Sequence, residues 1–160
     1  MSKATTLQGI GTAVWDVLAW NRALTVMLAD YGSLPPDQRN ILRMMFLNPQ
    51  ARKMQSDWES VARFVVGAFK LDAARAGASA EVKPLVDELC RLSREFSAMW
   101  RENDVRAFHG DAVKQLYHPL LGPLSFEYSS FAVDGRMDLS MVIYNPATPD
   151  DAERIKSLLD

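Results

Sequence analysis

The stretch from Asn40 to Phe69, NILRMMFLNPQARKMQSDWESVARFVVGAF, constrains this chain more than any other. It carries two apolar helical patterns with a turn signal between them, spaced so that both can face one sheet. The first half places Ile41, Leu42, Met44, Met45, Phe46 and Leu47 within seven positions. A helix that apolar has no wet face, so the pattern predicts a mostly buried helix. Arg39 and Arg43, four apart, share one side of it, roughly opposite Ile41. Asn48-Pro49 stops the pattern, because a residue before proline is pushed out of the helical region. Asn48 then suits the cap of a short new turn beginning at Pro49. The second half opens with Ser56 and Glu59 at capping-box spacing. Trp58, Val61, Ala62, Val65 and Phe69 follow on one face, while Glu59, Arg63 and Lys70 gather on another, with Glu59 ahead of Arg63 in the favourable order for an ion pair.

A chain of 160 residues is one domain's length, enough to bury roughly two-thirds of its unfolded surface. The formal charge of −2 argues against a nucleic-acid surface on the chain itself. The single cysteine, Cys90, rules out an internal disulfide and suits a reducing compartment; Leu89 and Leu92 beside it predict a buried thiol. No apolar run reaches the roughly 18 residues of a spanning helix, and the first eleven residues are too polar for a signal peptide. A cytoplasmic protein, not bound to a membrane, is the expectation.

Residues 1–12 read as a flexible lead-in, with a single domain over 13–160. The segment Ala13 to Trp20 reads as a strand, and Asn21 sits where the cap of a following helix belongs. Pro36 suits the first turn of the next helical segment. The long helix begun at Trp58 runs to about Ala76, where Gly77 is its end signal. Ser79 opens a helix through Leu92, with Leu85, Val86, Leu89 and Cys90 on its apolar face. Ser93 caps a shorter one carrying Phe96, Met99 and Trp100. The period then changes to two. The run from Val113 to His118 reads as a strand ended by Pro119 and Gly122. Leu124, Phe126 and Tyr128 alternate with polar residues in a second strand, and Asp134-Gly135 begins a hairpin loop into a third, Leu139 to Tyr144. Thr148 caps a terminal helix. Strand, helical block, then antiparallel strands is an α+β order, with the helices packed on one face of one antiparallel sheet.

Six segments come in the order and spacing of one known family: WDVLAWNRA (15–23), NILRMMFLNPQAR (40–52), DWESVARFVV (57–66), LVDELCRLSREFSAMWRENDVR (85–106), HPLLGPLSFEY (118–128) and MVIYNPATP (141–149). The chain resembles the MmyB-like ligand-binding domain that follows a helix-turn-helix in XRE-family bacterial transcription regulators. The resemblance implies a PAS-like fold, with a cavity between helices and sheet that takes small apolar molecules, fatty acids foremost. The upstream helix-turn-helix is absent from this chain, so contact with DNA is expected only through that missing domain. The family's usual histidine is replaced near Asn103, and Arg75 lies near a common family arginine at an ordinary helix end.

Arg43 is the sharpest candidate for a ligand contact. Its guanidinium needs a partner in so apolar a helix, and a ligand carboxylate would match its planar donor fork; an internal salt bridge or a side chain reaching water would serve equally. Trp58, Phe64, Trp100, Phe126, Tyr128 and Tyr144 are candidate wall residues, each as well suited to plain core, with the tyrosine hydroxyls as polar anchors. His109 and His118, with Asp104 and Asp111, match no metal-ligand spacing, and His118 before Pro119 suits a structural turn. HExxH, CxxC, GxSxG and glycine-rich phosphate loops are missing from the sequence. No metal, cofactor or enzymatic activity is therefore expected. The leading expectation is a ligand-sensing regulatory domain, acting as a homodimer, that binds a fatty-acid-like molecule. The alternative is a dimerisation module without a ligand.

Overall fold

The computed structural model describes residues 5–55, 57–77, 79–102 and 113–160. Five strands form one antiparallel sheet: β1 (Leu7–Thr12), β2 (Val17–Trp20), β3 (Val113–His118), β4 (Gly122–Val133) and β5 (Arg136–Pro146), in the order β2-β1-β5-β4-β3. Helices α1 (Arg22–Met27), α2 (Ile41–Leu47), α3 (Pro49–Lys53), α4 (Trp58–Ala76), α5 (Ser79–Leu92) and α6 (Arg94–Arg101) fall between β2 and β3, and α7 (Pro149–Leu159) closes the chain. This is the α+β, PAS-like architecture expected from the order of patterns.

Local chemistry sets most of the boundaries. Asn21, Asn48, Ser93 and Thr148 each cap a helix by accepting a backbone N–H, from Leu24, Gln50, Phe96 and Asp151 respectively. Gly77 ends α4 in the left-handed conformation, at φ 63°. The expected capping serine, Ser56, lies outside the described residues; Asp57 accepts from the Ser60 N–H at 3.3 Å instead. Glu59 and Arg63 do pair, at 2.6 Å.

The first strand corrects the expectation of a flexible lead-in over residues 7–12. Leu7 is wholly buried, and β1 lies between β2 and β5, with Leu7 opposite Tyr144 and Ile10 opposite Met141. Its inward residues after Leu7 are Gly9 and Gly11, which read as loop. A Cβ on Gly9 would come within 3.3 Å of Leu24 Cδ1, so a side chain there would press on α1 where it packs on the sheet. The expected strand over 13–20 is correspondingly shorter. Residues 13–16 turn the β1–β2 hairpin, with Trp15 at φ 64°, costly for a bulky side chain. The Trp15 indole offsets that cost: its N–H donates to Asp72 at 3.0 Å and its ring meets Phe69 edge-on at 5.5 Å.

The interior is divided. One cluster joins the sheet to α1 and α7 through Leu7, Leu24, Met27, Leu116, Leu124, Phe126, Ile155 and Leu159. The other lies within α2, α4, α5 and α6, around Leu42, Ala62, Phe69, Leu89 and Phe96. Helix α2 belongs to both: Ile41 and Met44 pack against the sheet cluster, Leu42, Met45, Phe46 and Leu47 against the helical one. Expected to be mostly buried, α2 buries only Leu42 fully, because its other apolar side chains lie at the margins of the two clusters.

Asn40 ties these parts together. Fully buried, it accepts from the N–H groups of Leu42 (2.9 Å) and Arg43 (3.2 Å), capping α2. Its amide donates to Val14 O and Asp16 Oδ1, both at 2.9 Å, in the β1–β2 turn. Val17 N–H to Arg39 O and Ile41 N–H to Trp15 O complete the joint. We expect Asn40→Ala to lose about 2–4 kcal/mol, combining a lost cap with buried groups left unpaired. Urea denaturation would measure it; a loss below about 1 kcal/mol would show that the joint is dispensable.

Candidate functional site

Alternation along β3 positions the candidate site. Val113, Gln115 and Tyr117 are exposed, whereas Leu116 and His118 are buried facing the helices, and Lys114 shares their side of the strand. In register, Lys114 lies opposite Phe126 of β4, and Tyr128 of β4 lies opposite Tyr144 of β5. The Lys114 ammonium therefore sits among aromatic rings from three elements. Nζ is 4.1 Å from the Tyr128 ring centroid, 5.2 Å from Phe64 of α4 and 5.5 Å from Tyr144. Tyr144 in turn touches Tyr128 at 5.2 Å and meets Phe126 edge-on at 6.5 Å.

The electrostatics are unusual for a lysine. Among the described residues Lys114 makes no hydrogen bond or ion pair, and the ring faces alone attract its charge. Burial pushes its ammonium down to about 8. Burial raises the Tyr128 and Tyr144 phenols, Tyr144 further through Tyr128 and Tyr31, so both remain neutral donors. Asp72 of α4, the nearest acidic influence on Tyr128, accepts the Trp15 indole N–H. The arrangement presents a partly desolvated cation walled by aromatic rings between the sheet and α4.

Of the residues singled out from the sequence, Phe64, Phe126, Tyr128 and Tyr144 come together here. Three do not. Arg43 forms an ion pair with Glu88 of α5 and lines a separate cleft of about 380 Å³ with Asp16, Val17, Leu18, Pro36, Asp37 and Arg39. Trp58 is buried in the helical cluster, its indole N–H on Met45 O at 3.1 Å and Arg52 over its ring at 4.2 Å. Trp100 stacks on Phe96 at 5.7 Å, and Lys70 binds its carbonyl at 2.7 Å. A second cleft, about 220 Å³, opens between α1 and α3, where Met44 and Met54 reach it from the sheet cluster's margin.

Lys114 was the residue that sequence reasoning passed over. The signal was present: in VKQLYH it shares parity with Leu116 and His118, and a lysine on the inward face of a strand needs a reason. His118 has the structural role expected of it. Its Nδ1 accepts the Leu120 and Leu121 N–H groups at 3.1 and 3.3 Å, which leaves Nε2 to donate toward Val26 O at 3.4 Å. His109, Asp104, Asp111 and Asn103 lie outside the described residues. Cys90, expected to be buried, is half-buried at the edge of the helical cluster. Among the described residues no cluster could hold a metal ion, and no helix is long and apolar enough to cross a membrane.

Comparison with protein families bears on this geometry. The profile of the MmyB-like transcription regulator ligand binding domain matches residues 10–158. The chain belongs to that family and is a ligand-binding domain of the transcription-regulator type. None of the curated proteins matches it.

The Lys114 environment carries a pH signature. The unfolded chain holds this proton up to about pH 10.5 and the folded one only to about 8. Between those values the unfolded state binds more protons, so the domain gains stability as pH rises, by up to roughly 3 kcal/mol, and the penalty is fully present below about pH 8. Lys114→Met should remove that rise and stabilise the protein at neutral pH. Urea titrations of both proteins across this range check it; identical slopes would mean that the amine is not desolvated.

Proposed function

We propose that this domain senses a small apolar molecule of fatty-acid type, held between the sheet and the helical block, in the cytoplasm. One observation carries the reading: the apolar interior is split in two, and the margins facing the division carry half-buried Ile41, Met44, Met45, Phe64 and Tyr144. Methionine and aromatic side chains adapt to a flexible chain better than branched aliphatics do. Burying a medium-length acyl chain releases on the order of 10 kcal/mol at about 0.8 kcal/mol per methylene. Association and ordering costs reduce that to roughly micromolar binding. A ligand in the division favours one spacing of α2 and α4 over the sheet, and that difference is what it transmits to an attached DNA-binding domain.

Mass spectrometry of an organic extract from the purified, undenatured protein should find a stoichiometric lipid. Melting in saturating medium-chain fatty acid should rise by about 5–10 °C. A clean extract together with an unmoved melting temperature across the chain-length series would reject the reading.

A different surface favours the dimer. By register Ala19, Ile10, Met141 and Phe131 form one row across the sheet, flanked by Leu139 and Ile143. They lie on the face opposite Leu7 and Phe126, where α1 and α7 pack, and Phe131 is 49 % exposed. A second copy of the chain would bury this row. Sedimentation should show a concentration-dependent dimer that Phe131→Glu weakens at least about tenfold; a monomer at every concentration refutes the interface.

A further inference from the structure

We propose that Lys114 is the anion anchor of the binding site, so that the ligand is an apolar tail ending in a single carboxylate. This rests on the reading of the domain as a sensor of apolar molecules and deepens it. The placement comes first. Lys114 reaches inward from the edge strand β3 to rings of β4, β5 and α4, the place where sheet and helical block face each other. Its charge is the second point. Ring faces compensate an ammonium only partly, and no described carboxylate reaches it. An anion brought by the ligand would supply the counter-charge that the described residues do not.

The alternatives are less well matched. A cationic ligand would suit an aromatic cage, but Lys114 already occupies this one and would repel it. Arg43, the stronger candidate by sequence, is ion-paired to Glu88, so a ligand carboxylate there would first have to displace a resident partner. Burial keeps the Tyr128 and Tyr144 phenols neutral, so neither offers the ammonium a phenolate counter-charge. Of the charged groups on the packed elements, Asp72 of α4 is engaged by Trp15. The lowered ammonium also makes the anchor titratable, so anion affinity should fall as the solution is made alkaline.

Titration calorimetry with decanoate and 1-decanol, below their aggregation limits, tests the anchor in the intact domain. Wild-type protein should bind decanoate more tightly than decanol, and the advantage should shrink between about pH 7 and pH 9.5. Lys114→Met should weaken decanoate about tenfold to a hundredfold while leaving decanol within about threefold. Arg43→Met should change neither by more than about threefold. Lys114→Gln is the second variant, should the methionine protein fail to fold. Undiminished decanoate binding in the Lys114 variants overturns the anchor but leaves the sensor reading standing. Equal loss of both probes shows a packing role and overturns it as well. If the wild type binds neither probe, the sensor reading falls together with the anchor.

Discussion

The buried amide of Asn40 is the constraint on which the arrangement of this domain depends. It stands where three things must agree: the end of the β1–β2 turn, the start of α2, and the entry of the chain into the helical block. Two of its bonds are to helix N–H groups and two to the turn, so neither element can shift without leaving polar groups unpaired in a place water does not reach. That coupling places α2 at the boundary between the sheet cluster and the helical cluster. A helix so placed cannot be buried all round, and the half-buried state of Met44, Met45 and Phe46 follows from its position rather than from poor packing.

A divided interior suits a sensor. A single jigsaw-packed core resists small displacements; here the two clusters meet through α2, through Trp15 against Asp72 and Phe69 of α4, and through Lys114 against Phe64. Within each cluster the elements are tied firmly. Asp151 of α7 accepts the Ser125 N–H of β4 and pairs with Arg154, which also binds Pro123 O, so α7 is locked to the sheet. Arg52 reaches Glu95 across α3 and α6 while covering Trp58, and Lys70 holds the last turn of α6. Firm bonds within each cluster and adaptable side chains between them are the division of labour that ligand-driven repositioning requires.

Lys114 is a cation held among apolar side chains. A leucine or methionine at its position would pack against Phe64, Tyr128 and Tyr144 without loss of hydration. Burial disfavours the charged form of that lysine, and among the described residues only ring faces compensate it. The Arg43–Glu88 pair is the opposite case. An arginine in an apolar helix finds its counter-charge on a neighbouring helix and joins α2 to α5.

The sequence alone determined whatever depends on neighbours along the chain. The caps at Asn21, Asn48, Ser93 and Thr148, the stop at Gly77, the Asp134-Gly135 hairpin and the α+β order were legible because each is a contact between residues a few positions apart, and six segments in register were enough for the family. Tertiary structure decided what depends on who sits across. Gly9 and Gly11 read as loop until α1 is laid over the first and the Asp16 carbonyl over the second, since their information is a missing side chain. Arg43 and Lys114 are both cations among apolar residues in the sequence, and nothing local says which has a carboxylate across from it. Glu88 lies forty-five positions from Arg43, and the rings around Lys114 come from α4, β4 and β5. Pairing over such separations is set by strand register and helix packing, so only the folded molecule shows that Arg43 meets a carboxylate while Lys114 meets aromatic rings.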